Sequence, residues 1–142
     1  IELNEDSIAP LIGLPSRIPP NEVLPDEEVK VSVNVTDLES GVKNVTLSFT
    51  SNNGVNWTDM PMTLNPTTYA YEATIPGQSA GTLVRFKIIA YDNVENNATL
   101  NGTEPYCVYQ VIPELSYIGT LLLFILASII AIYVNRKFRQ EH

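Results

Sequence analysis

Five asparagines lie in the Asn-x-Ser/Thr pattern, with no proline at the middle position, that N-linked glycosylation requires. They are Asn34, Asn44, Asn56, Asn97 and Asn101. Asn65 is excluded because Pro66 follows it. Since the side-chain amide accepts the sugar, each site must be exposed and exported. We expect sugar on at least some of the five. The alternative is that Asn and Thr are simply common in loops and at strand edges.

Carboxylate and amide side chains are concentrated in two polar loops. Asp37 and Glu39 lie in the first, and Asp92, Asn93 and Glu95 lie in the second. Calcium binds roughly six to eight such oxygens. The five residues therefore form a candidate calcium site if both loops lie at one end of the domain. The chain has no EF-hand spacing, and the alternative is a pair of solvated acidic loops.

Other chemistry has little support in the sequence. The only histidine is His142, the last residue, and the only cysteine is Cys107. No nucleophile elbow, phosphate-binding loop or His/Cys metal motif is present. We therefore expect no enzymatic activity and no cofactor; an enzyme would need a metal site among the two acidic loops. Cys107 is interpreted as a small buried hydrophobe, with an intermolecular disulfide as the alternative.

Charge divides the chain into three parts. Of the 16 acidic side chains, all but Glu141 lie in residues 1–114. Three of the 8 basic side chains, Arg136, Lys137 and Arg139, lie in residues 135–142. Residues 115–134 carry no charged side chain, and a helix of that length spans about 30 Å, the thickness of a bilayer's hydrocarbon core. We predict a transmembrane helix there. The positive-inside rule places the basic tail in the cytoplasm and residues 1–114 outside.

The predicted helix has a stripe of mostly small residues. Gly119, Leu123, Ala127 and Ala131 recur at every fourth position, which lets two membrane helices approach closely. Other transmembrane subunits are thus possible partners; the alternative is no association, since alanine is common in such helices. The net charge of −8 excludes nucleic acid as a partner. The chain begins at Ile1, which we interpret as the residue after a removed signal peptide or as the start of a C-terminal piece of a larger chain.

Residues ahead of the helix follow the period-two pattern of β-strands. Valines alternate with polar residues from Val29 to Val35, and the same pattern recurs over residues 44–49, with Ser48 outward, and over 83–91. A hairpin is predicted at Asn52-Asn53-Gly54, and Trp57 is expected in the core. With further strands near 8–12, 55–57, 69–75 and 106–111, the pattern predicts a seven-stranded antiparallel β-sandwich of the immunoglobulin or fibronectin type III kind.

The stretch from Val29 to Val111 also resembles the Ig-like and fibronectin type III-like modules of prokaryotic, notably archaeal, surface proteins. The resemblance rests on Asp37-Leu38-Glu39-Ser40-Gly41-Val42, Asn44-Val45-Thr46-Leu47, Trp57, Tyr71-Glu72-Ala73-Thr74-Ile75-Pro76 and the run from Val84 to Asn93. It implies an all-β ectodomain and leaves the function open, because such modules serve as adhesins, spacers, stalks and accessory domains alike.

The predicted organisation has five segments. These are an N-terminal segment with the first strand (1–27), the rest of the sandwich (28–112), a junction (113–114), the transmembrane helix (115–134) and a basic cytoplasmic tail (135–142). Two functions fit this organisation. One is a glycosylated, membrane-anchored cell-surface module for interaction or structural support. The other is an accessory single-pass subunit of a larger membrane complex, with the sandwich capping its extracytoplasmic side.

Overall fold

The computed structural model describes residues 5–141, without the side chains of residues 114–117. Within that range the chain forms eleven β-strands and one α-helix. The elements are β1 (Leu11–Ile12), β2 (Ser16–Ile18), β3 (Val29–Val33), β4 (Val35–Thr36), β5 (Val42–Thr50), β6 (Thr58–Pro61), β7 (Thr63–Leu64), β8 (Tyr71–Ile75), β9 (Leu83–Asp92), β10 (Asn97–Leu100), β11 (Val108–Gln110) and α1 (Glu114–Gln140).

Strand β9 is the centre of the larger, five-stranded sheet. Along one edge it pairs with β5, from Val42 opposite Asp92 to Thr50 opposite Arg85. Along its other edge it pairs with β10 and then β11, while β6 pairs with the far edge of β5. Buried residues alternate along β9 with exposed or partly exposed ones, so one face of the strand can join a core while the other faces outward.

The remaining strands form a four-stranded sheet and a two-stranded sheet. The four-stranded sheet has the order β2-β3-β8-β7, and β1 pairs with β4. All of these pairings are antiparallel. Asn34 separates β3 from β4, so the single strand predicted over residues 29–36 is divided between two sheets.

The buried faces of the two larger sheets contribute to one hydrophobic cluster. The alternation predicted from the sequence is confirmed over residues 29–35, 45–49 and 83–91, where the residues predicted to face inward are buried. Over residues 69–75 it is confirmed only for Ala73 and Ile75, because Tyr69 is 74% exposed and Tyr71 is partly exposed. The residues that are buried as predicted are Val29, Val31, Val33, Val35, Val45, Leu47, Phe49, Ala73, Ile75, Val84, Phe86, Ile88 and Ala90. A contiguous cluster of this kind is the main source of stability for a small domain.

The predicted count of seven strands is wrong, because the described residues contain eleven. Edge strands of two to four residues account for the difference, since such short segments show no clear period. The most consequential omission is β10, which lies in what the sequence suggested was a polar loop. The last strand is also shorter than expected: residues Pro105–Cys107 form a 3₁₀ turn, and β11 begins at Val108.

Trp57 is not a core residue, contrary to the prediction. It is 37% exposed, and the Lys87 ammonium lies 4.4 Å from its ring centroid. Because β5 lies between β6 and β9, the indole reaches Lys87 across the outward face of β5. A second prediction is also wrong: Ser48, on the same outward face of β5, was predicted to face solvent but is fully buried.

Helix α1 follows the domain with almost no linker. The Ile112 N–H donates to the Val23 carbonyl at 2.9 Å, and the Val111 N–H donates to the Thr82 carbonyl at 2.9 Å. Pro113 then precedes the first helical residue, Glu114. The chain is therefore hydrogen-bonded to the sheet domain up to the residue before that proline.

The helix is longer than the predicted 115–134, because it continues to Gln140. Arg136, Lys137 and Arg139 thus lie on its final turns rather than in a separate tail. No glycine or proline interrupts residues 120–140, and basic side chains near a helix C-terminus interact favourably with its dipole. Among the described residues, Ile118–Gln140 is long and apolar enough to cross a membrane, and none of its most apolar window is buried by the rest of the protein.

Candidate functional site

The two acidic loops meet at the end of the domain remote from α1. Asp92 is the last residue of β9, whereas β11, which leads to α1, pairs with the first residues of that strand. The ten residues of β9 separate these ends by about 30 Å. The Asn93 Nδ2 atom donates to the carbonyls of Ser40 at 2.7 Å and Gly41 at 3.1 Å. We call this end, formed by residues 37–41 and 92–96 with Asp6, the acidic tip.

Three carboxylates converge at the acidic tip. One oxygen each from Asp6, Asp37 and Asp92 lies within 4.8 Å of the others. Asp6 was not a candidate from the sequence, because it belongs to neither loop. It reaches the cluster because its carbonyl accepts a hydrogen bond from Asn96 Nδ2 at 3.2 Å. Nothing in the local sequence around Asp6 signals this contact.

Two of these carboxylates also hold the backbone of their own loops. Asp37 Oδ1 accepts hydrogen bonds from the N–H groups of Glu39, Ser40 and Gly41 at 2.8–3.2 Å. Asp92 is fully buried, and its Oδ1 accepts from the N–H groups of Val94 and Asn96 at 2.9 and 2.8 Å. Its Oδ2 accepts from the Asn96 side chain at 2.8 Å. Aspartates commonly shape turns in this way.

The remaining predicted ligands have different positions. The Glu95 carboxylate is paired with the Lys43 ammonium, and Asn93 is engaged with the backbone of the first loop. Glu39 stays at the cluster, where it interacts with Asp6. Of the five residues proposed from the sequence, Asp37, Asp92 and Glu39 therefore lie together, and Asp6 joins them. Asn93 and Glu95 contact other partners.

The close approach of acids shifts two pKa values in opposite directions. The pKa of Glu39 is raised, chiefly because its carboxyl shares a hydrogen bond with Asp6, and further by burial and by the negative charges of Asp6 and Asp37. The pKa of Asp6 is lowered, chiefly by the neighbouring Ser40 side chain and then by the Ile8 N–H, which donates to Asp6 Oδ1 at 2.9 Å. The tip thus gathers carboxyl oxygens, which are the ligands that a hard divalent cation such as calcium prefers. Calcium binding here stays a prediction.

All five sequon asparagines are exposed. Asn44 on β5 and Asn97 on β10 lie on opposite sides of Tyr91 of β9. Asn34 lies between β3 and β4. Asn101 follows β10 at the middle of the sheet, because the last residue of β10 pairs with Ile88, so it is farther from the acidic tip than its sequon neighbour Asn97.

Two sequons, those of Asn56 and Asn101, are close to Trp57. Asn56 precedes it directly. Gly102, which follows Asn101, packs so near the indole that an added Cβ would lie 3.2 Å from Cη2 of Trp57. Trp57 therefore has a structural role, with Lys87 and the backbone at Gly102 against its ring.

Cys107 has no exposed surface, which confirms its interpretation as a buried residue. Burial, followed by the negative charge of Glu104, raises the pKa of the thiol to about 11. A protonated, covered thiol is a poor nucleophile. The alternative of an intermolecular disulfide is not supported, because it needs a sulfur that another chain can reach.

The small-residue stripe lies on a helix that the described protein leaves uncovered. A Cβ added to Gly119 would meet no atom within 4 Å. Leu123 and Ala127 line a shallow depression with Thr120 and Phe124, and Ala131 is exposed one turn further on. The stripe therefore has no packing role within the described part of the chain.

No protein-family model matches this chain, and no curated protein is significantly similar to it.

Replacement of Glu39 tests the electrostatics of the acidic tip. Because the folded-state pKa of Glu39 is raised above its ordinary value of 4.5, its contribution to stability is complete below that pH and is lost as the pH rises through the folded-state value. Glu39→Gln removes the ionised form, so we expect a higher melting temperature than wild type at pH 7 and a difference that shrinks as the pH falls to 4.5 and below. Glu22→Gln, an exposed change outside the cluster, is the control. A constant difference across this pH range would contradict the explanation.

Calcium titration tests the metal prediction. A cation that binds only the folded state raises the melting temperature, so we expect a rise with millimolar calcium chloride. Asp37→Asn removes one charge but keeps an oxygen for the three backbone N–H groups, so it should reduce the rise without loss of the fold. Asp59→Asn, on the remote strand β6, should retain it. Equal responses of the two variants, or no response of the wild type, would exclude the site.

Proposed function

We propose that this chain is a non-enzymatic, membrane-anchored cell-surface protein, with a glycosylated Ig-like or fibronectin type III-like ectodomain for interaction or structural support at the outer face of the membrane. The observation that carries the proposal is α1. It is apolar on all sides, uncovered by the rest of the described protein and joined directly to a β-domain. Such a helix is stable when lipid or other membrane helices surround it.

The strand order supports an Ig-like sandwich as the ectodomain. In the constant-type Ig fold, one sheet has strands A-B-E-D and the other has C, F and G. The sheet β2-β3-β8-β7 corresponds to A-B-E-D, and β5, β9 and the pair β10 and β11 correspond to C, F and G. Strand β6 adds one strand beside C. The shared core between these sheets is what a sandwich requires.

The state of the sequon side chains supports glycosylation. Within residues 5–141, none of the five sequon asparagines uses its side chain in a hydrogen bond. Other asparagines do so, as at Asn52, Asn65, Asn93 and Asn96, and none of these is in a sequon. Attachment of a sugar to these side-chain amides would therefore break no hydrogen bond within the described residues.

The orientation follows from charge. Arg136, Lys137 and Arg139 at the end of α1 belong on the cytoplasmic side by the positive-inside rule. The sheet domain is then outside, and because its last strand runs towards α1, the acidic tip is the part farthest from the membrane. The absence of a linker keeps the domain close to the bilayer.

Cysteine labelling tests this orientation. In a Cys107→Ala background, Leu38→Cys adds a thiol at a side chain that is fully exposed, and Gln140→Cys adds one at the end of α1. We expect a membrane-impermeant maleimide to label the first in intact cells and the second only after permeabilisation. The reverse pattern would invert the topology, and recovery of the chain in the soluble fraction would contradict membrane anchoring.

An accessory subunit of a larger membrane complex is the second candidate. The uncovered Gly119 and the depression at Leu123 and Ala127 favour it, because small residues allow close helix packing. Native mass measurement after extraction in mild detergent separates the two functions. We expect a single species or homo-oligomer that carries sugar mass. Other membrane proteins that migrate with the chain at fixed stoichiometry would instead identify it as a subunit.

A further inference from the structure

Two sequons are placed symmetrically on the outward face of the five-stranded sheet. Asn44 and Asn97 are the cross-strand partners of Tyr91 on its two sides. Two residues further along their strands, Thr46 and Thr99 are the partners of Ile89 on its two sides. The rows Asn44–Tyr91–Asn97 and Thr46–Ile89–Thr99 therefore run across three strands.

The alternation of the strands puts both rows on the outward face. Residues i and i+2 of a strand share a face, so each sequon presents its asparagine and its threonine together. The intervening residues Val45 and Ala90 are buried in the core, whereas Asn44 and Asn97 are exposed and Tyr91 is partly exposed. Both acceptor amides thus lie beside one aromatic ring.

The distances suit a contact between sugar and ring. Directly opposed residues have Cβ atoms about 5 Å apart, and the two asparagines, one strand on either side of Tyr91, are separated by about 10 Å. Within residues 5–141 the Tyr91 side chain has no hydrogen bond, ion pair or cation contact. Its ring is partly exposed, whereas the ring of Trp57 is covered by Lys87.

We propose that Asn44 and Asn97 carry N-linked glycans whose first sugars pack against Tyr91 from both sides, so that this aromatic side chain organises a glycan-covered face. The inference rests on the proposed glycosylation and names its sites and its contact. A pyranose ring has a face of C–H groups, and an aromatic ring offers a matching apolar face with negative charge density. Such packing orders the sugars next to the acidic tip.

Attachment itself is an ordinary glycosyl transfer. The side-chain amide nitrogen of each asparagine forms a bond to the anomeric carbon of a sugar carried on a phosphate-activated lipid donor. The bond between that carbon and the donor phosphate breaks, and the phosphate leaves with the bonding electrons. The amide nitrogen loses one proton, which passes to the departing phosphate or to solvent water. Tyr91 takes no part in the transfer and acts only on the attached sugar.

The test measures the accessibility of Tyr91 with and without the sugars. The full chain is isolated from its native membranes in mild detergent, its glycopeptides are mapped by mass, and its tyrosines are nitrated. Thr46→Val and Thr99→Val each abolish a sequon while keeping the asparagine and the branched shape of the side chain. We expect nitration of Tyr91 to rise in each variant and severalfold in the double variant. Tyr69, which is 74% exposed, provides the internal reference.

Asn34→Gln is the matched control, because Asn34 lies between β3 and β4, which belong to other sheets than the one that contains Tyr91. This substitution should remove the sugar at position 34 and leave the nitration of Tyr91 unchanged. If the wild type carries sugar at Asn44 and Asn97 but Tyr91 is nitrated equally in the wild type and in all variants, the packing contact is wrong and the proposed glycosylation is unaffected. Sugar only at other sequons would overturn the assignment of this pair, and an absence of sugar at all five would overturn the proposed glycosylation itself.

Discussion

The antiparallel pairing of β5 with β9 is the constraint on which the rest of the domain depends. It extends from Val42 opposite Asp92 to Thr50 opposite Arg85. One face of this pair contributes Leu47, Phe86 and Ile88 to the core, and the other carries the polar and aromatic rows. Because the side-chain period of a strand is two, a slip of one residue would exchange these faces. The register therefore determines both stability and the surface.

The acidic tip illustrates how one residue type serves two purposes. Asp92 is buried and satisfied by three hydrogen bonds, so it shapes the turn between β9 and β10. Asp37 does the same for the turn before β5. The consequence of folding both turns at one end is an accumulation of negative charge that also includes Asp6 and Glu39. These aspartates have a structural role whether or not a cation binds, and the calcium prediction rests on the proximity of their carboxyl oxygens.

Two sequons on the outward face and the helix α1 occupy different ends of the large sheet. Sequons at Asn44 and Asn97 occupy the half of the large sheet nearest the tip, while the opposite end is hydrogen-bonded up to Ile112, next to α1. The sequons as a whole do not cluster at one end: Asn44 and Asn97 lie towards the acidic tip, whereas Asn56 and Asn101 lie closer to the end that leads to α1. This arrangement suits a surface module, and it leaves the helix faces open to lipid or to neighbouring spans.

The sequence alone determined the elements whose signals are local. Alternating apolar residues predicted the inward faces of β3, β5 and β9, and an uncharged run of twenty residues predicted the helix, because burial in an apolar environment imposes a period or a length on the residues themselves. The acidic loops and the five sequons could also be recognised in the sequence, because each is defined by residues that are adjacent or nearly adjacent in the chain.

Tertiary structure decided everything that depends on partners distant in the chain. Strand β10 is too short to show a period and exists because β9 pairs with it. Trp57 lies outside the core because Lys87 and Gly102 receive its ring, and Asp6 joins Asp37 and Asp92 through a contact to Asn96. The placement of two sequons around Tyr91 is likewise a property of register. Cross-strand neighbours are set by pairing geometry, and no local period in the sequence encodes which residue will lie opposite another.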